Sequence, residues 1–273
     1  MDFSSLGIKG VSAAADIIEP SLKIALIGDP GVGKSWLACS IASADNEVMN
    51  LDFDGRAASL QGKPHVFVKT YHDANPNIPK AMQEFETDLA ALKYAKSAGK
   101  SIPSTYVIDS VSYARKATES ELIRQESKLG RVVRVGTTQL KISAGWDIIN
   151  ANRLYLEYII NELSTLGNVI AIFHEREEKD VIKTTKEEVK YTGLVTIQPQ
   201  YLNTITSIFN DTWRLKINYA NKRVLQTGIS NEFAGKCSLR GVDAEEVEPN
   251  ILKLLEKHKK WHKENSKPSQ SIG

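Results

Sequence analysis

One short stretch constrains this chain more than any other. Lys23–Ile27 reads KIALI, an apolar run with the length and content of a buried strand, and it stops at Gly28. Gly28, Asp29, Pro30, Gly31, Val32, Gly33, Lys34 and Ser35 then satisfy G-x-x-x-x-G-K-[ST] in full. Ser35–Ala44 follows with Leu37, Ile41 and small residues at helical spacing, so the local order is strand, glycine loop, helix. Each part has a physical task. Glycines let backbone N–H groups curl around phosphate oxygens without a Cβ in the way. The following helix directs its positive end at the same oxygens. Lys34 supplies a point charge for the β- and γ-phosphates, and the Ser35 hydroxyl suits a Mg²⁺ ion. Gly28–Ser35 and the adjoining Trp36 form the expected contact set for ATP with Mg²⁺.

The rest of the chain continues in the same alternation. Glu47–Phe53, His65–Lys69, Thr105–Ile108 and Asn168–Phe173 are strand candidates. Ile78–Ala98, closed by Gly99, reads as a helix, as do Val111–Gln125 and Asp147–Leu166. In the last of these, Ile149, Leu156, Ile160 and Leu163 fall on one face. Ser127–Ser143 is polar and glycine-punctuated and is expected to hold a short hairpin or a mobile loop. Glu175–Tyr191 is charged without apolar periodicity, which predicts an exposed loop, and Tyr201–Phe209 suits a short helix. Asp211–Asn218 and Lys222–Thr227 alternate around Tyr219, Ala220 and Asn221, the pattern of a β-hairpin. Strands alternating with helices imply an α/β fold: a mainly parallel sheet flanked by helices, with the C-terminal hairpin at one edge. Residues 1–20 read as a lead-in, 21–249 as the core, and 250–273 as a basic helix and disordered tail.

Composition narrows the setting. The 273 residues are 41% hydrophobic and 25% charged, ordinary for a globular chain, and the net charge of +2 argues for no partner class. Cys39 and Cys237 provide neither a disulfide framework nor CxxC spacing, in keeping with a reducing cytoplasm. There is no apolar run of about 18 residues, so a membrane span is not expected.

Asp109 ends the strand Thr105–Ile108. A carboxylate at that end of a buried strand lies beside the phosphate loop and can hold Mg²⁺ through water. It also suits a helix cap. A guanine-reading Asn-Lys-x-Asp is missing, because Asn221 and Lys222 are followed by Arg223 and Val224. No arginine-rich lid of a small-molecule phosphotransferase stands out.

The order of parts instead resembles the RecA-like core ATPases. The matching pieces are GDPGVGKS, LDFDG, TYVIDS, the GWD of Gly145–Asp147 before a long helix, IFHE, and a late Lys-plus-Arg element. Within that group the chain is similar to phage-encoded RecA-like ATPases that assist single-strand annealing and recombination. The resemblance spans about residues 20 to 245 and implies a RecA-like P-loop NTPase fold. It places Asp54 where the family carries the Glu that activates water, one methylene longer than Asp. Asp54 before Gly55 is also a turn former. The resemblance makes His174 a sensor of the γ-phosphate, and Lys236 and Arg240 the positive groups that a neighbouring subunit supplies to the transition state. It implies a homo-oligomer with ATP between subunits, in the host cytoplasm if the protein is phage-encoded. Single-stranded DNA is the implied partner, and a single-strand-binding protein a further one.

DNA-contacting loops of that fold follow the Asp109 and His174 strands. The first carries Lys128, Arg131, Arg134 and Lys141. The second has Lys179, Lys183, Lys186 and Lys190 against five glutamates, which nearly cancel. Trp261 among tail lysines could stack a base, or simply pack. Two other classes stay open: a non-hydrolysing nucleotide switch or scaffold, which the short Asp54 would suit, and a phosphotransferase.

Overall fold

The computed structural model describes residues 22–73, 79–129, 131–143, 145–178, 191–195, 207–230 and 233–265. The lead-in, most of the expected helix at 201–209, the lysines at 179–190 and the end of the tail lie outside these residues.

The central strands are β1 (Lys23–Gly28), β2 (Val48–Asp52), β3 (Val66–Thr70), β4 (Thr105–Asp109) and β7 (Asn168–Glu178). Strands β9 (Asp211–Ile217), β10 (Arg223–Gln226) and β13 (Glu245–Val247) continue the sheet, while β11 (Ile229–Ser230) and β12 (Phe233–Ala234) pair apart from it. The order is β13-β10-β9-β1-β7-β4-β2-β3, and β8 (Tyr191–Val195) pairs with the far half of β7. From β9 to β3 the neighbours are parallel, whereas β10, β13 and β8 join antiparallel. Antiparallel strands therefore close one edge of a mostly parallel sheet, as the hairpin pattern predicts.

The apolar runs have a simple cause. Successive side chains of a strand point to opposite faces, so a strand covered on both faces must be apolar throughout. On β1, Ala25 and Ile27 enter one core while Ile24 and Leu26 enter the other. On β7, Val169, Ala171 and Phe173 face the first core, and Ile170 and Ile172 the second. The first core is roofed by α2 (Ala81–Ser97), α3 (Val111–Leu129) and α4 (Gly145–Leu166). The second lies under α1 (Lys34–Ala38) and the C-terminal helix α5 (Ile251–Asn265). Ile251 and Leu254 of α5 are buried there, and the Ile251 N–H donates to Ser40 Oγ at 2.7 Å.

Three local expectations need correction. The helix after the glycine loop is shorter than its spacing suggests: α1 ends at Ala38 and a single 3₁₀ turn covers Cys39–Ile41. Asn46 stops it, since its side-chain amide takes the Ile41 carbonyl at 2.9 Å and its backbone pairs with Ser43. The buried seam of α4 runs through Ala151, Tyr155, Leu156, Ile159, Ile160 and Leu163, with Ile148 rather than Ile149 against the core. Finally, β7 continues through Glu178 instead of yielding to a loop at Glu175. Glu175 is not solvated, because Arg214 on β9 holds it in a two-pronged ion pair.

Of the two readings of 127–143, the hairpin is the one adopted. It comprises β5 (Val132–Val135) and β6 (Thr138–Lys141), seated on the helices by Val133, Val135 and Ile142.

Candidate functional site

The glycine loop sits where β1, at mid-sheet, ends between β7 and β9. Gly28 pairs with His174 across β7. A side chain at Gly28 is excluded by packing: its Cβ would lie 2.3 Å from the Leu215 carbonyl oxygen. Gly31 and Gly33 have φ of +79° and +102°, a region where a Cβ is strained. Lys34 is buried, and its ammonium donates to the Gly28 and Asp29 carbonyls, both at 2.7 Å. Burial pushes its pKa down to about 8, against the pull of Asp109 and Asp29. With α1 so short, the grip on an anion falls mainly on loop amides and Lys34.

A group that sequence reasoning missed holds the loop from outside. Arg223, the first residue of β10, donates from Nε to the Val32 carbonyl at 2.9 Å and stands over Gly33. It lies 191 residues from Val32, beyond any local signal.

Beside the loop, on the β4 and β2 side, three carboxylates converge. Asp109 is buried with the Ser35 hydroxyl beside it, and Asn50 donates to it at 3.4 Å. Burial pushes the Asp109 carboxyl above its ordinary range. Asp52 is a structural clamp that the sequence reading left without a role. It accepts the N–H groups of Gly55 at 2.9 Å, Arg56 at 3.2 Å and Ala57 at 3.3 Å, and the Thr70 hydroxyl at 3.3 Å. This clamp shapes the turn that presents Asp54. Burial, Asp109 and Asp52 together push Asp54 up to about 6.

His174 faces the same space from β7. Its Nε2 is 3.4 Å from Ser110 Oγ, while Nδ1 is buried with no hydrogen-bond partner among the described residues. Burial, then the positive charges of Lys34 and Arg56, hold its pKa below the usual histidine value. The ring is therefore neutral near pH 7. Trp36 is exposed on α1, with Lys63 Nζ 4.0 Å above its ring.

The other expected site residues lie elsewhere. Lys236 bridges to Thr212 and donates to the Phe209 carbonyl at 3.2 Å. Thr212 pairs with Ala25 on its other side, so Lys236 is separated from β1 by β9 and stands level with Ala25, three residues before the glycine loop begins. Arg240 is exposed close by, its backbone N–H bonded to His258 Nδ1. Arg134 and Lys141 are exposed on one outward face of the β5–β6 hairpin, because their cross-strand partners Gln139 and Val132 alternate with buried valines. Exposed Arg131 precedes β5, and Lys128 is in the last turns of α3.

Mg-ATP fits the residues present. Gly31 has open space where a Cβ would stand, the Ser35 hydroxyl lies beside Asp109 as a metal ligand and its outer carboxylate would, and His174 Nδ1 is buried without a partner among the described residues. Among the described residues no three Asp, Glu, His or Cys side chains form a metal cage. Mg²⁺ does not require one, since it keeps waters and binds phosphates with one or two protein oxygens.

A mostly parallel sheet carrying this loop defines a P-loop NTPase. The family model described as an AAA domain matches residues 21–239, and the chain belongs to that family. No curated protein matches the chain. No helix among the described residues is long and apolar enough to cross a membrane.

Proposed function

We propose that this chain is a magnesium-dependent ATPase of the RecA-like kind, acting as an oligomer on single-stranded DNA in phage recombination, annealing or replication. The observation that carries the hydrolytic part is the convergence of Lys34, Asp109, Asp54 and His174 on one side of the glycine loop. Ser35, backed by Asp109, would hold Mg²⁺, which neutralises charge on the phosphates when bound. Lys34 exchanges its two loop carbonyls for phosphate oxygens. Asp54 takes the proton of the attacking water as the bond between the terminal phosphorus and its bridging oxygen breaks. Neutral His174, with an unused ring nitrogen, is placed to exchange a hydrogen bond when the terminal phosphate leaves.

Two things support the DNA part: the family resemblance, and a hairpin that displays Arg134 and Lys141 on one face. Lys236 and Arg240, outside their own loop, suit a role at a neighbour's site. ATP hydrolysis measured with and without an oligonucleotide at low salt tests the coupling. DNA is expected to raise the rate, and the double variant Arg134→Glu/Lys141→Glu to remove most of the increase. A rate indifferent to DNA would defeat the coupling.

The second reading is a slow nucleotide switch. What favours it is that Asp54 is one methylene shorter than the Glu that the family carries at this place. Asp54→Asn separates the two. With an active base, turnover falls at least a hundredfold; in a switch it barely changes. The stability effect has the opposite sign. A carboxyl raised in the folded state contributes stability present below about pH 4 and lost as pH rises through about 6. Removing that charge is expected to raise the melting temperature of the nucleotide-free protein at pH 7 by a few degrees and to leave it little changed at pH 4.

A further inference from the structure

Resting on the nucleotide-binding reading, we infer that the tip of the β9–β10 hairpin is the nucleobase site, with the Tyr219 ring as the surface on which the base stacks.

The argument begins with polarity across the sheet. Groups suited to the terminal phosphate, Asp54, Asp109 and His174, come from β2, β4 and β7, all on one side of β1. A triphosphate lying along the glycine loop with its terminal phosphate there must direct its nucleoside to the other side, towards β9 and β10. A cavity of about 1030 Å³ lies on that side. Its floor is Asp29–Val32 of the glycine loop, and its wall is the hairpin end, Ile217, Asn218, Tyr219 and Asn221. Phosphate loop and hairpin tip thus bound one continuous space.

The tip is built to hold an aromatic ring out. Asn221 has φ of +55°, which closes the turn, and its N–H donates to the Asn218 carbonyl at 3.0 Å. The Asn218 side-chain oxygen accepts the N–H groups of Ala220 and Lys222, each at 3.0 Å. That braced turn leaves Tyr219 110% exposed, so the ring contributes nothing to its own core. A tyrosine on a braced backbone has only two side-chain torsions to fix, so it pays little entropy when it binds a flat partner. Asn218, with its oxygen occupied, keeps Nδ2 as a donor, and every purine offers ring-nitrogen acceptors. The pocket therefore suits a nucleobase by its face and an acceptor on its edge, on a part of the chain that the glycine-loop motif does not include.

The test compares Mg-ATP with Mg-tripolyphosphate, which lacks base and ribose, by calorimetry on the full chain. Tyr219→Ala is expected to weaken Mg-ATP about tenfold, the scale of one base stacked on one aromatic, and to leave tripolyphosphate binding and melting temperature unchanged. Tyr219→Phe should bind Mg-ATP like the parent. If Tyr219→Ala binds Mg-ATP as the parent does, or weakens both ligands equally, the tip is not the base site. If the parent binds neither ligand, the nucleotide reading itself fails, and this inference with it.

Discussion

Lys34→Ala is expected to weaken Mg-ATP binding by about a hundredfold or more and to abolish hydrolysis, while the chain stays folded. Each charge-assisted hydrogen bond from an ammonium contributes about 1.5–3 kcal/mol, and Lys34 can make more than one to the β- and γ-phosphates. Two such bonds correspond to at least two decades in affinity. The fold is insulated because the Lys34 ammonium touches only the loop itself, through the Gly28 and Asp29 carbonyls. It is a buried charge whose desolvation already disfavours it. Calorimetry with Mg-ATP and a melting curve, run on the same sample, check both halves. Parent-like affinity in the variant would remove the basis for reading Gly28–Ser35 as a phosphate grip.

Glu175→Ala should have the largest effect on stability among the polar residues around the site. Glu175 and Arg214 bridge β7 and β9 on either side of β1, with side chains only 5% and 12% exposed. Arg214 also donates to Gln226 on β10 at 3.5 Å. Removing the carboxylate leaves the guanidinium without the opposite charge that Glu175 supplied, a loss of about 3–5 kcal/mol when one partner of a buried pair is deleted. Urea denaturation should show the midpoint fall accordingly, with the slope unchanged. The double variant Glu175→Ala/Arg214→Met is expected to recover much of the loss, since it buries no orphan charge. Were Glu175→Ala as stable as the parent, the pair would contribute no more than a surface contact does.

These pairings mark where sequence reasoning succeeds and where it stops. Gly28–Ser35 is legible because its chemistry is contiguous: turn, charge and hydroxyl occupy successive positions. Strands β1 and β4 are legible because burial on both faces writes an unbroken apolar run. Glu175 was misleading because a charge reads as solvent exposure until its partner is known, and Arg214 is 39 residues away. Arg223 gave no sign at all, being separated from Val32 by most of the fold. Asp52 was overshadowed by Asp54, since a clamp on nearby backbone N–H groups and a base aimed at water are the same residue type two positions apart. The length of α1 turned on Asn46, whose effect is tertiary in kind although local in sequence.

The position of β1 has a consequence for how the protein is made. Its two lateral neighbours, β7 and β9, are translated long after it; the Leu22 N–H that begins the strand bonds Asn168, 146 residues downstream. On the ribosome, the segment that carries the phosphate loop therefore emerges before both strands that flank it and waits, bare on both edges, for them to arrive. Pairing over such separations is slow and leaves apolar edges open to wrong partners. Newly made chains should depend on chaperone protection until the last strands have been delivered.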